Sequence, residues 1–217
     1  MMRHILIYGS GGFAREVAWL IEQNAAAGQK IVAVAFVDDN VAVQGGVLNE
    51  LPIISFEVAC QQYPFAQFVI AIGSAAVRKK LLEKIEQASF TCTSLIQCRV
   101  EYSRYLKIDT GTIICAGSIL TTNITLARHV HINLDCTIGH DVVMQDFVTL
   151  APGVHVSGWV ILEEGAYIGT GANIINGSAD APLVIGAWSV IGSGACVTRS
   201  IPPYVTAVGI PAKPLVR

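Results

Sequence analysis

The sequence predicts an α/β domain followed by an all-β parallel β-helix, and three observations carry that prediction. Between Ile108 and Ile174 an aliphatic side chain returns at every sixth position, through Ile114, Leu120, Leu126, Ile132, Ile138, Met144, Leu150, Val156, Leu162 and Ile168. Four residues after these positions stand small or β-branched residues, from Thr112 and Ser118 to Ala166 and Ala172. Ahead of the repeat, an apolar strand runs straight into Gly9-Ser10-Gly11-Gly12 and then into an amphipathic helical pattern. A sixfold period means that each coil has three short sides and buries its inward aliphatics in one column, with residues eighteen apart stacked above one another.

In the N-terminal region, residues 4–8 read as a strand. The helix after the glycines presents Val17, Leu20 and Ile21 on one face and stops at Gly28. A second strand, residues 31–37, ends in Asp38-Asp39, so the three elements read as a βαβ unit of Rossmann-like type. Residues 40–50 read as a polar loop, 52–54 as a short strand, and Phe56 as the start of a small helix. The unbroken apolar run 68–72 reads as a buried parallel strand. Ser74 is placed to cap a last helix with Val77, Leu81 and Ile85 inward and Arg78, Lys79, Lys80, Glu83 and Lys84 in water. These readings set a small α/β domain at residues 1–88, a connector at 89–107 with Leu95 and Val100 as an imperfect first coil, and the solenoid at 108–217.

Within the solenoid, the corners call for left-handed backbone, and Gly111, Gly117, Asn123, Asp135, Asp141, Gly153, Gly165 and Gly171 recur one residue before the small positions. The sixfold count breaks at residues 176–182, read as a loop ejected from a corner, and resumes at Ile185, Ile191 and Val197. Pro202-Pro203 is expected to end the ladder.

Composition narrows the function classes. Charged residues are 14% of the 217-residue chain, and mean hydropathy is +0.55. The apolar runs are nevertheless too short to span a bilayer. The net charge of −2 supplies no basic field for nucleic acid. The N-terminus turns polar too early for a signal peptide, so a cytoplasmic location is expected. Six scattered cysteines lack a CxxC pair, so neither a zinc site nor a disulfide framework is indicated, and Cys115 and Cys136, at small positions of the repeat, read as buried thiols. Low charge on a flat-sided solenoid suggests faces buried between identical subunits.

Candidate chemistry gathers in two places. Backbone amides at the helix start, at Gly11, Gly12 and Phe13, can approach a phosphate, and Asp38 or Asp39 can take a ribose or base edge. In the repeat, His129, His131, His140 and His155 lie at positions expected to face outward. His140 is followed by Asp141, and an imidazole with an adjacent carboxylate can take a proton from a group attacking a thioester.

The two-part chain, its sixfold repeat and its tail Val208-Gly209-Ile210-Pro211-Ala212-Lys213 resemble the hexapeptide acyltransferases, specifically the sialic acid O-acetyltransferase and bacillosamine N-acetyltransferase group. That resemblance implies a left-handed coil, which patterning alone leaves open. The segment Thr137-Ile138-Gly139-His140-Asp141 lines up with the group's catalytic base and its acidic neighbour, which implies His140 as base and Asp141 as its modulator. It further implies acetyl-CoA along the solenoid at Thr149, Thr170 and Ser193, a homotrimer, and a nucleotide-linked amino sugar at Gly11, Gly12, Phe13, Asp38 and Asp39. Phe13 departs from the group, which often has His there.

Three other readings share parts of the evidence. Hexapeptide-type carbonic anhydrases bind zinc through three histidines, but His129 and His131, two apart in extended backbone, point to opposite sides; no metal is expected. A non-catalytic NAD-sensing module would explain the glycine turn and leave the solenoid without a role. O-acetylation of a sialic acid would call for a cationic clamp on its carboxylate. The nearest cations in sequence are Arg15 beside the glycine turn and Arg128 before His140, so an amine acceptor is expected.

Overall fold

The computed structural model describes residues 2–215, which divide between Cys98 and Arg99 into two compact units. In the first, β1 (Arg3–Tyr8), α1 (Gly12–Ala26) and β2 (Ile31–Val37) form the βαβ unit. They are followed by β3 (Val47–Leu48), β4 (Leu51–Ile54), α2 (Phe56–Gln62), β5 (Gln67–Ile70) and α3 (Ala75–Gln87). The sheet order is β3-β4-β2-β1-β5, parallel except for the β3–β4 hairpin. Ile5, Leu6 and Ile7 of β1 are fully buried because helices cover both faces of a parallel sheet. Helix α1 buries Val17, Leu20 and Ile21 and closes in a Schellman motif, with Gly28 N–H to Ala25 O and Gln29 N–H to Asn24 O.

Three expectations for this unit need correction. The polar loop contains a hairpin, β3–β4, whose turn places Asn49 and Glu50 at φ 45° and 66°. That is the geometry of a two-residue I′ turn, in a sequence without the usual glycine. The inward face of α3 is Arg78, Leu82 and Ile85, while Val77 is exposed. Arg78 is buried rather than solvated: its Nη1 donates to the carbonyls of Ile72 and Gly73 at 3.0 and 2.9 Å, serving backbone acceptors that no strand reaches. Burial lowers its pKa to about 9, which leaves it charged at neutral pH.

The second unit is a parallel β-helix with three faces. The first face stacks Ile113–Ile114, His131–Ile132, Thr149–Leu150, Tyr167–Ile168, Val190–Ile191 and Thr206–Val208. The second stacks Glu101–Tyr102, Ile119–Leu120, Thr137–Ile138, His155–Val156, Asn173–Ile174 and Cys196–Val197. The third stacks Lys107–Ile108, Thr125–Leu126, Val143–Met144, Val160–Leu162 and Leu183–Ile185. Within the second unit the ladder thus begins at Glu101, inside the stretch read as a connector. Residues at both the sixfold positions and those four later are inward and buried, from Ile114 and Ser118 to Ala172 and Ile174. The break at residues 176–182 is absorbed without loss of stacking, since Leu162 pairs with Ile185. The ladder also continues past the two prolines, because they occupy a corner where no ladder N–H is needed, and Thr206–Val208 resumes on Val190–Ile191.

The expectation that all four solenoid histidines face outward holds for His140 and His155 only. His129 and His131 are buried. His129 occupies a left-handed corner at φ 55° and stacks on Phe147, also left-handed, at 5.6 Å between centroids. Its ring fills the space that a Cβ at Gly111, one coil earlier, would need. Trp188 covers Gly165 in the same way. His129 and Trp188 are tolerated on this edge because a glycine in the preceding coil leaves room for the ring, whereas Phe147 stacks directly on His129.

Candidate active site

His140 and Asp141 lie on the edge between the second and third faces, where the strand Thr137–Ile138 turns into Val143–Met144. Asp141 takes the left-handed corner conformation at φ 58°, which bends its carboxylate back onto its neighbour. His140 Nδ1 is 2.8 Å from Asp141 Oδ2. A carboxylate can only accept, so Nδ1 carries the proton and Nε2 of the neutral ring holds the lone pair. The imidazole is about half exposed, at 54%.

Two residues one coil later shape this site. Gly158 lies directly beneath the ring: a Cβ there would come 2.5 Å from His140 Cε1 and 2.6 Å from Nε2. Trp159, left-handed at φ 59°, sets its indole edge-to-face against the imidazole at 6.1 Å. Both positions were legible in principle, since they follow His140 and Asp141 by one 18-residue coil. Across the same face, His155 Nδ1 lies 2.7 Å from Thr137 Oγ1.

Thr170 and Ser193 stand elsewhere on the prism. Both are exposed on the edge between the first and second faces, stacked one coil apart through Gly194 N–H to Thr170 O at 2.8 Å. Thr149 is on the first face and 4% exposed. A full face of strands therefore separates the His140 edge from the Thr170 and Ser193 edge within one chain.

In the first unit Gly11 is the N-cap of α1 and offers no side-chain cap, and Gly12 and Phe13 follow it in the first turn of the helix. Gly9 is needed for close approach: its φ is +111°, and a Cβ would lie 2.7 Å from Ile72 Cδ1. The two aspartates have separate duties. Asp38 accepts from the Ser10 hydroxyl at 2.5 Å and from Asn40 N–H at 2.9 Å, tying β2 to the glycine turn. Asp39 accepts from the Tyr8 phenol at 2.9 Å and from Lys84 Nζ at 2.8 Å, and Lys84 also lies 4.6 Å over the Phe56 ring. Burial, and then Asp39, raise the Tyr8 pKa. Ser10, Tyr8 and Lys84 were not singled out from sequence, and Lys84 was read as merely solvated.

Comparison with known proteins identifies this architecture. Residues 4–85 match the PglD N-terminal domain. Over 214 residues the chain is 32% identical to GDP-perosamine N-acetyltransferase of Escherichia coli O157:H7, covering 97% of this chain and 96% of that one. The chain belongs to the sugar acetyltransferases of the bacillosamine and perosamine group. Two solved structures place the whole chain within that family's fold. WeeI from Acinetobacter baumannii AYE superposes with a TM-score of 0.90 at 34% identity, covering 99% of this chain and all of that one. The acetyltransferase domain of PglB from Neisseria gonorrhoeae FA1090, solved in complex with acetyl coenzyme A, gives 0.86 at 28% identity, covering 99% and 100%. With this family membership, the two-part fold read from the sequence is that of hexapeptide acetyltransferases.

Proposed function

We propose that this sugar acetyltransferase moves the acetyl group of acetyl-CoA onto an amine of a nucleotide-linked amino sugar used in bacterial surface glycans. The observation that carries the reading is the half-exposed His140–Asp141 pair in a chain aligned nearly end to end with a GDP-perosamine N-acetyltransferase. A neutral sugar amine attacks the thioester carbonyl carbon, and Nε2 of His140 takes the proton that the nitrogen sheds as the C–N bond forms. The tetrahedral adduct then expels the CoA thiolate, and a backbone amide stabilises the oxyanion meanwhile. Asp141 holds the ring and stabilises the imidazolium. The transfer is direct, since Cys136 is inward, bonded through its thiol to Ala151 O, and held by burial at a pKa of about 11.

Acetyl-CoA, the co-substrate, runs along the solenoid past Thr149, Thr170 and Ser193, and the nucleotide is held by Gly11, Gly12 and Phe13 with Asp38 and Asp39. Because His140 and the Thr170–Ser193 column occupy different edges of one prism, they would meet across two copies, which supports a homotrimer. No helix among the described residues is long and apolar enough to cross a membrane, and the enzyme would work in the cytoplasm on soluble sugar nucleotides. A sialic acid acceptor is less well served, as Arg128 is engaged in a fork on Asp146 at 3.0 and 2.6 Å.

Thiol release from acetyl-CoA, measured against nucleotide-linked 4-amino sugars and against free and CMP-linked sialic acid, tests the assignment. Turnover of at least one amino sugar is expected. Activity confined to sialic acid would overturn it.

A further inference from the structure

We infer that the first coils of the solenoid carry an anion-binding cleft for the sugar-side phosphate of the acceptor, an inference that rests on the nucleotide-sugar reading above. A cleft of about 420 Å³ opens on the second unit, lined by Arg104, Tyr105, Lys107, Asn123 and Thr125 among others. Arg104 donates through Nη2 to the Tyr105 hydroxyl at 2.6 Å, and its guanidinium lies 4.8 Å over that ring. The stacked arginine is thus held in place with most of its donors unspent. Lys107 adds a second cation one strand on. Among the described residues neither cation meets a carboxylate, in contrast to Arg128 on Asp146 and Lys84 on Asp39.

The position of the cleft gives it a meaning. Glu101–Tyr102 stacks on Ile119–Leu120 and that strand on Thr137–Ile138, while Lys107–Ile108 stacks on Thr125–Leu126 and that strand on Val143–Met144. Arg104 and Tyr105 therefore occupy the same edge as His140 and Asp141, two coils earlier, or about 10 Å at the usual strand spacing. A hexose whose amine meets His140 and whose anomeric phosphate lies across the ring spans a gap of this order. Acetyl-CoA does not fit the same gap, because its pantetheine arm separates the thioester from the pyrophosphate by a much longer chain. The cleft is accordingly matched to the phosphate bonded to the sugar, with Arg104 as the fork and Lys107 as the point charge.

The test is the Arg104→Gln/Lys107→Gln double variant, whose side chains are exposed. With a nucleotide-linked 4-amino sugar, its KM for that substrate should rise roughly ten- to a hundredfold, as for the loss of charged hydrogen bonds. Its kcat at saturation and its KM for acetyl-CoA should stay at the parent values, and the salt dependence of the sugar-nucleotide KM should flatten. An unchanged sugar-nucleotide KM would overturn the inference. A rise confined to acetyl-CoA, or to free sialic acid, would overturn it by assigning the cleft to a CoA phosphate or a carboxylate instead. Calorimetric titration with inorganic pyrophosphate reads the cleft without turnover: weaker binding to the double variant supports it, and equal binding counts against it. Failure of the parent enzyme to acetylate any amino sugar strikes the acceptor assignment, so the two claims fail separately.

Discussion

At the scale of residues, the His140 edge depends on what is missing as much as on what is present. Gly158 gives the His140 ring its floor, and Gly139 lets the two coils approach, since a Cβ there would lie 2.7 Å from Gly158 N. Gly158→Ala should push the imidazole off its line to Asp141. A misplacement of about 1 Å can cost a hundredfold in rate, so kcat should fall by roughly one to two orders of magnitude with the fold intact. Steady-state kinetics beside a thermal melt checks this; unchanged kcat would mean that the ring works in another position. Asp141→Asn keeps the shape but removes the charge that stabilises the imidazolium, so kcat should drop while the KM for the sugar nucleotide holds. Of this site, His140-Asp141 was readable as a pair of letters. Gly158 and Trp159 are legible only through the 18-residue register, because each acts on a residue one coil earlier.

At the scale of elements, the sixfold column was legible because burial repeats it without exception from Ile114 to Ile174. What the pattern could not convey is where a rule is relaxed by a neighbour. Left-handed corners were expected at Gly, Asn and Asp, yet His129, Phe147 and Trp159 hold three of them. The hairpin turn at Asn49-Glu50 and the inward Arg78 were hidden for a related reason, since each is decided by tertiary hydrogen bonding and packing rather than by residue type. The corners yield a paired prediction. Gly171 has φ +68° and open space around its Cβ position, so Gly171→Ala should cost only about 1–2 kcal/mol of left-handed strain. Gly111 has φ +73° with the His129 ring in the way, so Gly111→Ala should cost clearly more. Urea unfolding of the two variants decides it, and equal losses would show that the ring yields freely.

At the scale of the whole molecule, stability should carry an alkaline limit set by two thiols, the half-buried Cys92 and the buried Cys136. Burial pushes Cys92 up to about 12 and Cys136 up to about 11, against an ordinary value of 9.0. Below about pH 9 folded and unfolded chains both keep these protons. Above it the unfolded chain ionises first, so stability is full below pH 9 and is lost as pH rises through 11 to 12. Denaturation midpoints of Cys92→Ala should therefore fall less steeply between pH 9 and 11 than those of the parent, and parallel slopes would refute the assignment. The same scale decides the proposed catalysis, because His140 and the Arg104 cleft share one edge of the prism while Thr170 and Ser193 stand on another. Steady-state turnover of a nucleotide-linked 4-amino sugar by the parent enzyme and by His140→Ala bears on this most directly. Positioned general-base catalysis is worth about a hundred- to ten-thousandfold, so the variant should lose at least a hundredfold in kcat while binding the sugar nucleotide as before. A His140→Ala enzyme that turns over near the parent rate would place the base elsewhere.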